Sequence, residues 1–261
     1  MTDGADAVRT FKAVVIDIDG TLTAADSLTA TSAELGMPAE ELVALSYGCH
    51  TGRIPYAQAC HLLLEHWTAS GPVSRTRLET LFHRLPLRPD APHLIARVHA
   101  LGLPVALVSS SMSLYVQIVA DRLGVGESYA NVQLSFDANG VLADLSFTLD
   151  SAGLKHRQLL DFCSRHHLTP GEVMAIGDAD NDVALFTATG NGVLLAEEAV
   201  GELADRAWRV VPTLTRAAEL LLTPGSHPPR TATPGEATPA SLDKHTPARA
   251  SGSSRRRAGN P

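Results

Sequence analysis

The chain has 261 residues, 44% of them hydrophobic and 19% charged, with a formal net charge of −7. That is enough apolar material for one large domain, or for a core with a smaller partner, and the composition is that of a soluble globular protein. No apolar run is long enough to cross a bilayer, the N-terminal MTDGADAVRTFKAVVID lacks the basic start and apolar stretch of a secretory signal, and three cysteines without a CxxC pair (Cys49, Cys60, Cys163) suit a reducing cytoplasm better than a disulfide framework.

In chain order, Lys12 to Ile16 reads as a buried strand by its apolar, β-branched run. Residues 27 to about 85 carry apolar residues at helical spacing in segments near 27–35, 39–47, 55–69 and 74–85, with Gly36-Met37-Pro38, residues 48–55 and Ser70-Gly71-Pro72 as punctuation. A strand over Val105–Val108 and a helix over roughly 112–123 follow. Val132–Phe136 and Val141–Phe147 alternate around Asp137-Ala138-Asn139-Gly140, which predicts a β-hairpin. Leu154 to about His167 reads as a helix, Val173–Ile176 as a short buried strand, and about Asn181 to Ala188 as a helix. Val193–Leu195, a 198–205 helix, Trp208–Val211 and a 213–222 helix complete the body. From Thr223 the chain is rich in Pro, Ser, Thr, Gly and Ala, so residues 223–261 are expected to be disordered. This tail holds six Lys/Arg and two Asp/Glu, which leaves −11 on residues 1–222. An acidic body argues against a nucleic-acid polymer as substrate, and Arg255-Arg256-Arg257 reads as a solvated basic cluster. The sequence sets no oligomeric state.

Strands alternating with helices predict a parallel sheet with helices on both faces, which binds ligands at the carboxyl ends of its strands. Three apolar strands end in polar clusters: VVID at Asp17-x-Asp19-Gly20-Thr21, VALV at Ser109-Ser110-Ser111, and VMAI at Gly177-Asp178-Ala179-Asp180-Asn181-Asp182. Each cluster alone has an ordinary explanation. Asp-Gly after a strand makes hairpin turns, Ser109 could cap a helix, and an acidic loop often precedes one. Brought together, up to five carboxylates would repel one another unless a cation were present. An oxygen-rich set without a His/Cys partner set points to a hard ion such as Mg²⁺. His61 and His66 are five residues apart, and no HExxH or HxxxH pair occurs, which argues against zinc. Lys12 enters its strand at the end away from these clusters. Trp67, the Leu62–Leu64 run and the Cys49-His50 and Cys60-His61 pairs read as packing or surface of the helical segment.

The set resembles the haloacid dehalogenase superfamily, and specifically its phosphatases. DIDGT matches the first motif, DxDx(T/V); LVSS matches the second; Lys155 stands for the third; GDADND matches the fourth, GDxxND. The likeness spans about residues 12 to 222, and the hairpin ahead of Lys155 is most similar to the phosphoserine-phosphatase-like branch. The resemblance implies a Rossmann-like parallel-sheet core of residues 1–26 and 87–222, with an inserted all-helical cap of residues 27–86. It also implies Mg²⁺-dependent hydrolysis of a small phosphomonoester through an aspartyl-phosphate. Asp17 would be the nucleophile and Asp19 the general acid/base. Asp17, Asp19 (through its carbonyl), Asp178 and Asp182 would serve the metal. Ser109 and Lys155 would neutralise the phosphoryl group, and Gly20, Thr21, Ser110 and Asn181 would help bind it.

A phosphotransferase or mutase would share every motif. A metal-free dehalogenase fits less well, because it needs neither Asp19 nor the acidic fourth motif, and the intact motifs argue against a non-catalytic phospholigand-binding protein. Phosphoserine phosphatases hold their substrate's amino and carboxylate groups with a flap Glu and a cap Arg. Alignment puts Asp26 and Leu63 at those positions, which implies that L-phosphoserine is a poor substrate here.

Overall fold

In the computed structural model, which describes residues 9–198 and 201–221, the first apolar run forms β1 (Ala13–Ile16), with all four side chains buried. Four helices follow: α1 (Ser27–Glu34), α2 (Ala39–His50), α3 (Tyr56–Thr68) and α4 (Arg75–Arg84). Next come α5 (Ala91–Ala100), β2 (Val105–Val108), α6 (Ser113–Leu123), β3 (Glu127–Tyr129), β4 (Gln133–Phe136) and β5 (Leu142–Ser146). The remaining elements are α7 (Ser151–Arg165), β6 (Val173–Gly177), α8 (Val183–Thr189), β7 (Gly192–Leu195), α9 (Glu202–Arg206), β8 (Arg209–Val211) and α10 (Leu214–Glu219). The sequence reading of a tail over 223–261 lies outside the described residues.

The main sheet has the order β3-β2-β1-β6-β7-β8, and every pairing in it is parallel. A hairpin at Asp17-Gly20 is therefore excluded. β1 runs between β2 and β6, so the three strands that end in polar clusters are neighbours. The strand order reverses beside β1, which is where open α/β sheets place their ligands.

Side chains alternate across β1 as a strand requires. Val14 and Ile16 join a core with Leu94, Ile95 and Val98 of α5, Val116 and Val119 of α6, and Leu214 of α10. Ala13 and Val15 join a second core with Leu159 and Phe162 of α7 and Leu185 and Phe186 of α8. Helices thus cover both faces.

Helices α1–α4 form the insertion expected between the first two strands. Leu35, Met37, Leu63, Trp67 and Leu78 are continuous with the first core, and the Trp67 indole N–H donates to Ser32 Oγ at 3.0 Å. The β4–β5 hairpin is antiparallel and stands against this insertion. Leu142 N–H donates to Val73 O at 2.8 Å, and Phe147 N–H donates to the Tyr56 hydroxyl at 2.6 Å. Where the chain returns from the insertion, Arg88 N–H donates to Leu22 O at 2.8 Å and Thr23 bridges to Leu87. The two chain crossings are therefore stitched together directly behind the end of β1.

Two elements add to those expected from the sequence, α5 and the edge strand β3. The acidic fourth cluster begins as a 3-10 turn over Asp180–Asp182 before α8 starts, and of the expected 198–205 helix the described residues show Glu202–Arg206.

Candidate active site

The loop after β1 turns at once. Thr21, Leu22 and Thr23 N–H all donate to Ile18 O, at 2.8–3.1 Å. Gly20 has φ +84°, and a Cβ added there would stand 2.0 Å from Asp178 Oδ2, so both backbone angle and space require glycine. The Thr21 hydroxyl donates to Asp178 Oδ1 at 2.8 Å, which ties the first cluster to the fourth. Arg88 Nη2 donates to Gly20 O at 2.8 Å from the far side of the insertion.

Lys155, on α7, is the electrostatic centre. It is 1% exposed, and its ammonium donates to Asp17 Oδ1 and Asp182 Oδ1, each at 2.7 Å, and to Asn181 Oδ1 at 3.2 Å. Asp182 Oδ2 accepts from the Asp178 and Ala179 N–H groups at 3.1 and 3.2 Å. Both oxygens of the fully buried Asp182 are thus engaged. Gly177 permits this approach, because a Cβ there would meet Asp182 Cγ at 2.3 Å. Asn181 Nδ2 donates to Ser110 Oγ at 3.1 Å. A polar chain therefore runs from the end of β2 through Asn181 and Lys155 to the end of β1.

Ser109 is buried, and its hydroxyl oxygen accepts from Ser111 N–H at 3.1 Å. It does not cap α6, which begins at Ser113 after Met112. Asp19 Oδ2 accepts from the Ser27 hydroxyl at 2.6 Å, and Ser27 also bonds Ser111. Asp19 Oδ1 is buried with no hydrogen-bond partner among the described residues.

The acidities follow from this geometry. Burial pushes the Asp17 carboxyl well above the usual carboxylate range; the Lys155 ammonium pulls it back and the Asp182 charge adds to the rise. Burial raises Asp19 from 3.8 to about 6, against the stabilising hydrogen bond from Ser27. Burial also raises Asp178, opposed by the Thr21 bond. For Lys155, burial alone would lower the ammonium, but the charges of Asp17 and Asp182 hold it above its ordinary value. At about 6, Asp19 can exchange a proton near neutrality, as an acid/base group requires.

Asp17, Asp178 and Asp182 each offer a carboxylate oxygen within 4.8 Å of the others. One ammonium faces these three carboxylates and the nearby Asp19, so the ionised site has excess negative charge. Hard oxygen donors with unbalanced charge fit a small divalent cation.

All ten residues singled out from the sequence lie at these three adjacent strand ends or in bonds that join them. Lys12 instead pairs with Glu172 at 2.6 Å, at the opposite end of β1. Three residues in the network were not anticipated: Ser27, Ser111 and Arg88. Ser111 belonged to a visible serine cluster. Ser27 and Arg88 carried no local signal, since their partners are 8 and 68 residues away in sequence.

Residues 11–190 match the haloacid dehalogenase-like hydrolase family. The chain is 28% identical over 203 residues to a phosphoserine phosphatase of Albidiferax ferrireducens, covering 75% of this chain and 83% of that one. It is 24% identical over 198 residues to a phosphoserine phosphatase of Archaeoglobus fulgidus, covering 76% of this chain and 56% of the relative. A solved structure of a phospho-aspartyl intermediate analogue of phosphoserine phosphatase superposes with a TM-score of 0.65 at 18% identity, covering 82% of this chain and all of that one, and shares the fold. The chain belongs to the haloacid dehalogenase-like hydrolases. Within them it is a phosphatase of the phosphoserine-phosphatase-like branch.

Proposed function

We propose that the chain is a Mg²⁺-dependent hydrolase of a small phosphomonoester, acting through an aspartyl-phosphate on Asp17. The observation that carries this reading is the carboxylate of Asp17, buried at the end of β1, bonded to Lys155 and grouped with Asp178 and Asp182. The proton-exchanging carboxyl of Asp19 lies two residues further on. The catalytic core comprises the described parts of residues 1–26 and 87–222, and residues 27–86 act as its cap. Three free, buried cysteines suit work in a reducing cytoplasm.

In the first step a carboxylate oxygen of Asp17 attacks phosphorus. The bond from phosphorus to the ester oxygen breaks with its electron pair on that oxygen, and Asp19 supplies the proton that makes it an alcohol. In the second step water attacks phosphorus, its proton passes to the Asp19 carboxylate, and the bond to Asp17 breaks with its pair returning to the carboxylate. Lys155 and Ser109 neutralise and bond the phosphoryl oxygens; Gly20, Thr21, Ser110 and Asn181 shape the space that receives them. Asp17, Asp178 and the Asp19 carbonyl, with Asp182 supporting the set, would hold Mg²⁺, which would supply the remaining positive charge that phosphoryl transfer needs. The engaged oxygens of Asp182 suit it to positioning Lys155 and the 178–179 backbone.

The test is phosphate release from a panel of phosphomonoesters with Mg²⁺, with EDTA, and with Asp17→Asn as the blank. Turnover that needs both Mg²⁺ and Asp17 is expected. Wild-type rates from Asp17→Asn, or from exhaustively chelated enzyme, would overturn the reading.

A further inference from the structure

A cavity of about 180 Å³ adjoins the site, between the helical insertion and the segments that follow β2 and β5. Its walls are mainly apolar, with Leu28, Leu42, Leu45, Cys49, Leu63 and Phe147 as principal surfaces. Two links tie its wall to the reacting centre. Ser110, on its wall, accepts the bond from Asn181, which in turn bonds Lys155 beside Asp17. Leu28 follows Ser27, whose hydroxyl holds Asp19. A group attached to a phosphate at Asp17 through an ester oxygen therefore has this cavity as its neighbour.

Among the described residues the lining includes no Lys, Arg, Asp or Glu. Its polar members are neutral hydroxyls (Ser46, Ser110, Thr148, Ser151), the Asn131 amide and the His50 ring, and some of these are committed. Both amide atoms of Asn131 are bonded to the Thr148 backbone, at 2.7 and 2.9 Å, and His50 Nδ1 is tied to Ser46 O at 2.8 Å. The charged side chains that could have reached in are engaged elsewhere. Asp26 caps α1 through Thr29 N–H at 2.6 Å, Arg53 lies over the Tyr47 ring, and Arg75 pairs with Glu79 at 2.9 Å. An ammonium or carboxylate on the substrate would give up hydration against mainly apolar walls and meet no Lys, Arg, Asp or Glu among the described lining residues, only hydroxyls, the Asn131 amide and the His50 ring.

We propose that the alcohol released by this enzyme carries an uncharged, largely apolar group of about benzene size, seated against Leu42, Leu45, Leu63 and Phe147. The inference rests on the phosphatase reading above and adds its substrate class. The size follows from the volume, since an apolar protein cavity of about 150 Å³ accepts benzene.

Steady-state kinetics on benzyl phosphate and 3-methylbutyl phosphate against O-phospho-L-serine, each with Asp17→Asn as blank, tests it. The apolar esters are expected to exceed phosphoserine in kcat/KM by about 100-fold or more. Leu63→Ala, which deletes part of the wall, is expected to raise KM for benzyl phosphate about tenfold while kcat moves much less. If that variant misfolds, inhibition of wild-type enzyme serves instead: benzylphosphonate is expected to compete more tightly than the phosphonate analogue of phosphoserine. Phosphoserine equal to or better than the apolar esters, with turnover still dependent on Asp17, overturns the inference and leaves the phosphatase reading standing. No ester turned over above the blank overturns both.

Discussion

Replacing Lys155 by Met removes the one ammonium shared by two buried carboxylates while keeping the length and apolar stem of the side chain. Asp17 and Asp182 are 6% and 0% exposed as side chains, so neither can recover its lost partner from bulk water. Breaking a buried ion pair by deleting one member costs about 3–5 kcal/mol. There is an independent ceiling for Asp17, because Asp182 keeps its two backbone N–H donors. A stranded carboxylate can take up a proton, which at pH 7 costs about 1.36 kcal/mol for each unit above the ordinary value of 3.8, or about 4.4 kcal/mol. The two routes agree on a loss of about 3–5 kcal/mol for the metal-free protein at pH 7, a fall in Tm of roughly 6–20 °C. At pH 5 the proton costs only about 1.6 kcal/mol, so the deficit relative to wild type shrinks to about 2 kcal/mol. Urea denaturation followed by circular dichroism in EDTA, at both pH values, measures this directly. A deficit below 1 kcal/mol at pH 7, or one that stays the same at pH 5, would refute the assignment of Lys155 as the partner that makes these buried charges tolerable.

Asp19→Asn is expected to fold and to lose about 10²–10⁴-fold in kcat, because the leaving oxygen then departs without its proton. The same variant tests the electrostatics of the fold. A carboxyl raised from 3.8 to about 6 stabilises the native state most below pH 3.8, and that contribution disappears as pH rises through about 6. Metal-free wild type should therefore gain about 1 kcal/mol more than Asp19→Asn on going from pH 7 to pH 5, as read by denaturant titration. Ser27→Ala removes a hydrogen bond that favours the ionised form of Asp19, so the acidic pKa read from NMR titration of the metal-free protein should rise by about one unit; a fall would contradict the geometry. Gly20→Ala must fit a side chain at φ +84° against the Asp178 carboxylate, and should weaken Mg²⁺ activation more than it lowers Tm.

The central strands were legible because Val14, Val15 and Ile16 leave no other reading for so short a run, and because each run stops at an abrupt polar cluster. That three such clusters meet follows from parallel topology alone, and β1 does lie between β2 and β6. Helix α5 also had a signal, with Ala91, Leu94, Ile95 and Val98 at i, i+3, i+4 and i+7. Pro86, Pro89 and Pro92 obscure it by suggesting a loop, yet Pro92 sits in the first turn, where its missing N–H is harmless. Strand β3 had none: Glu-Ser-Tyr has no period, and it is extended because β2 offers it an open edge. The roles of Ser27 and Arg88 were hidden for the same reason. A serine that begins a helix and an arginine beyond an insertion of some sixty residues reach the centre only after the chain has closed upon itself. Asp182 shows the complementary limit. Its place in the acidic motif was plain, but not that both its oxygens would be committed to Lys155 and to backbone amides.

Ser27 is the first residue of α1, and so belongs to the inserted helices, yet its hydroxyl grips the Asp19 carboxylate at the end of the sheet. The neighbouring Leu28 faces the cavity where an alcohol group would lie. On the proposed mechanism, adjacent residues on one turn would govern both what is accepted and how readily a proton is surrendered. For an evolving lineage, substrate preference and working pH would then not be independent traits. Drift that reshapes the first turn of the insertion to admit a new metabolite would also reset the acidity range in which the enzyme operates, without any change in the strand-end motifs by which the family is recognised.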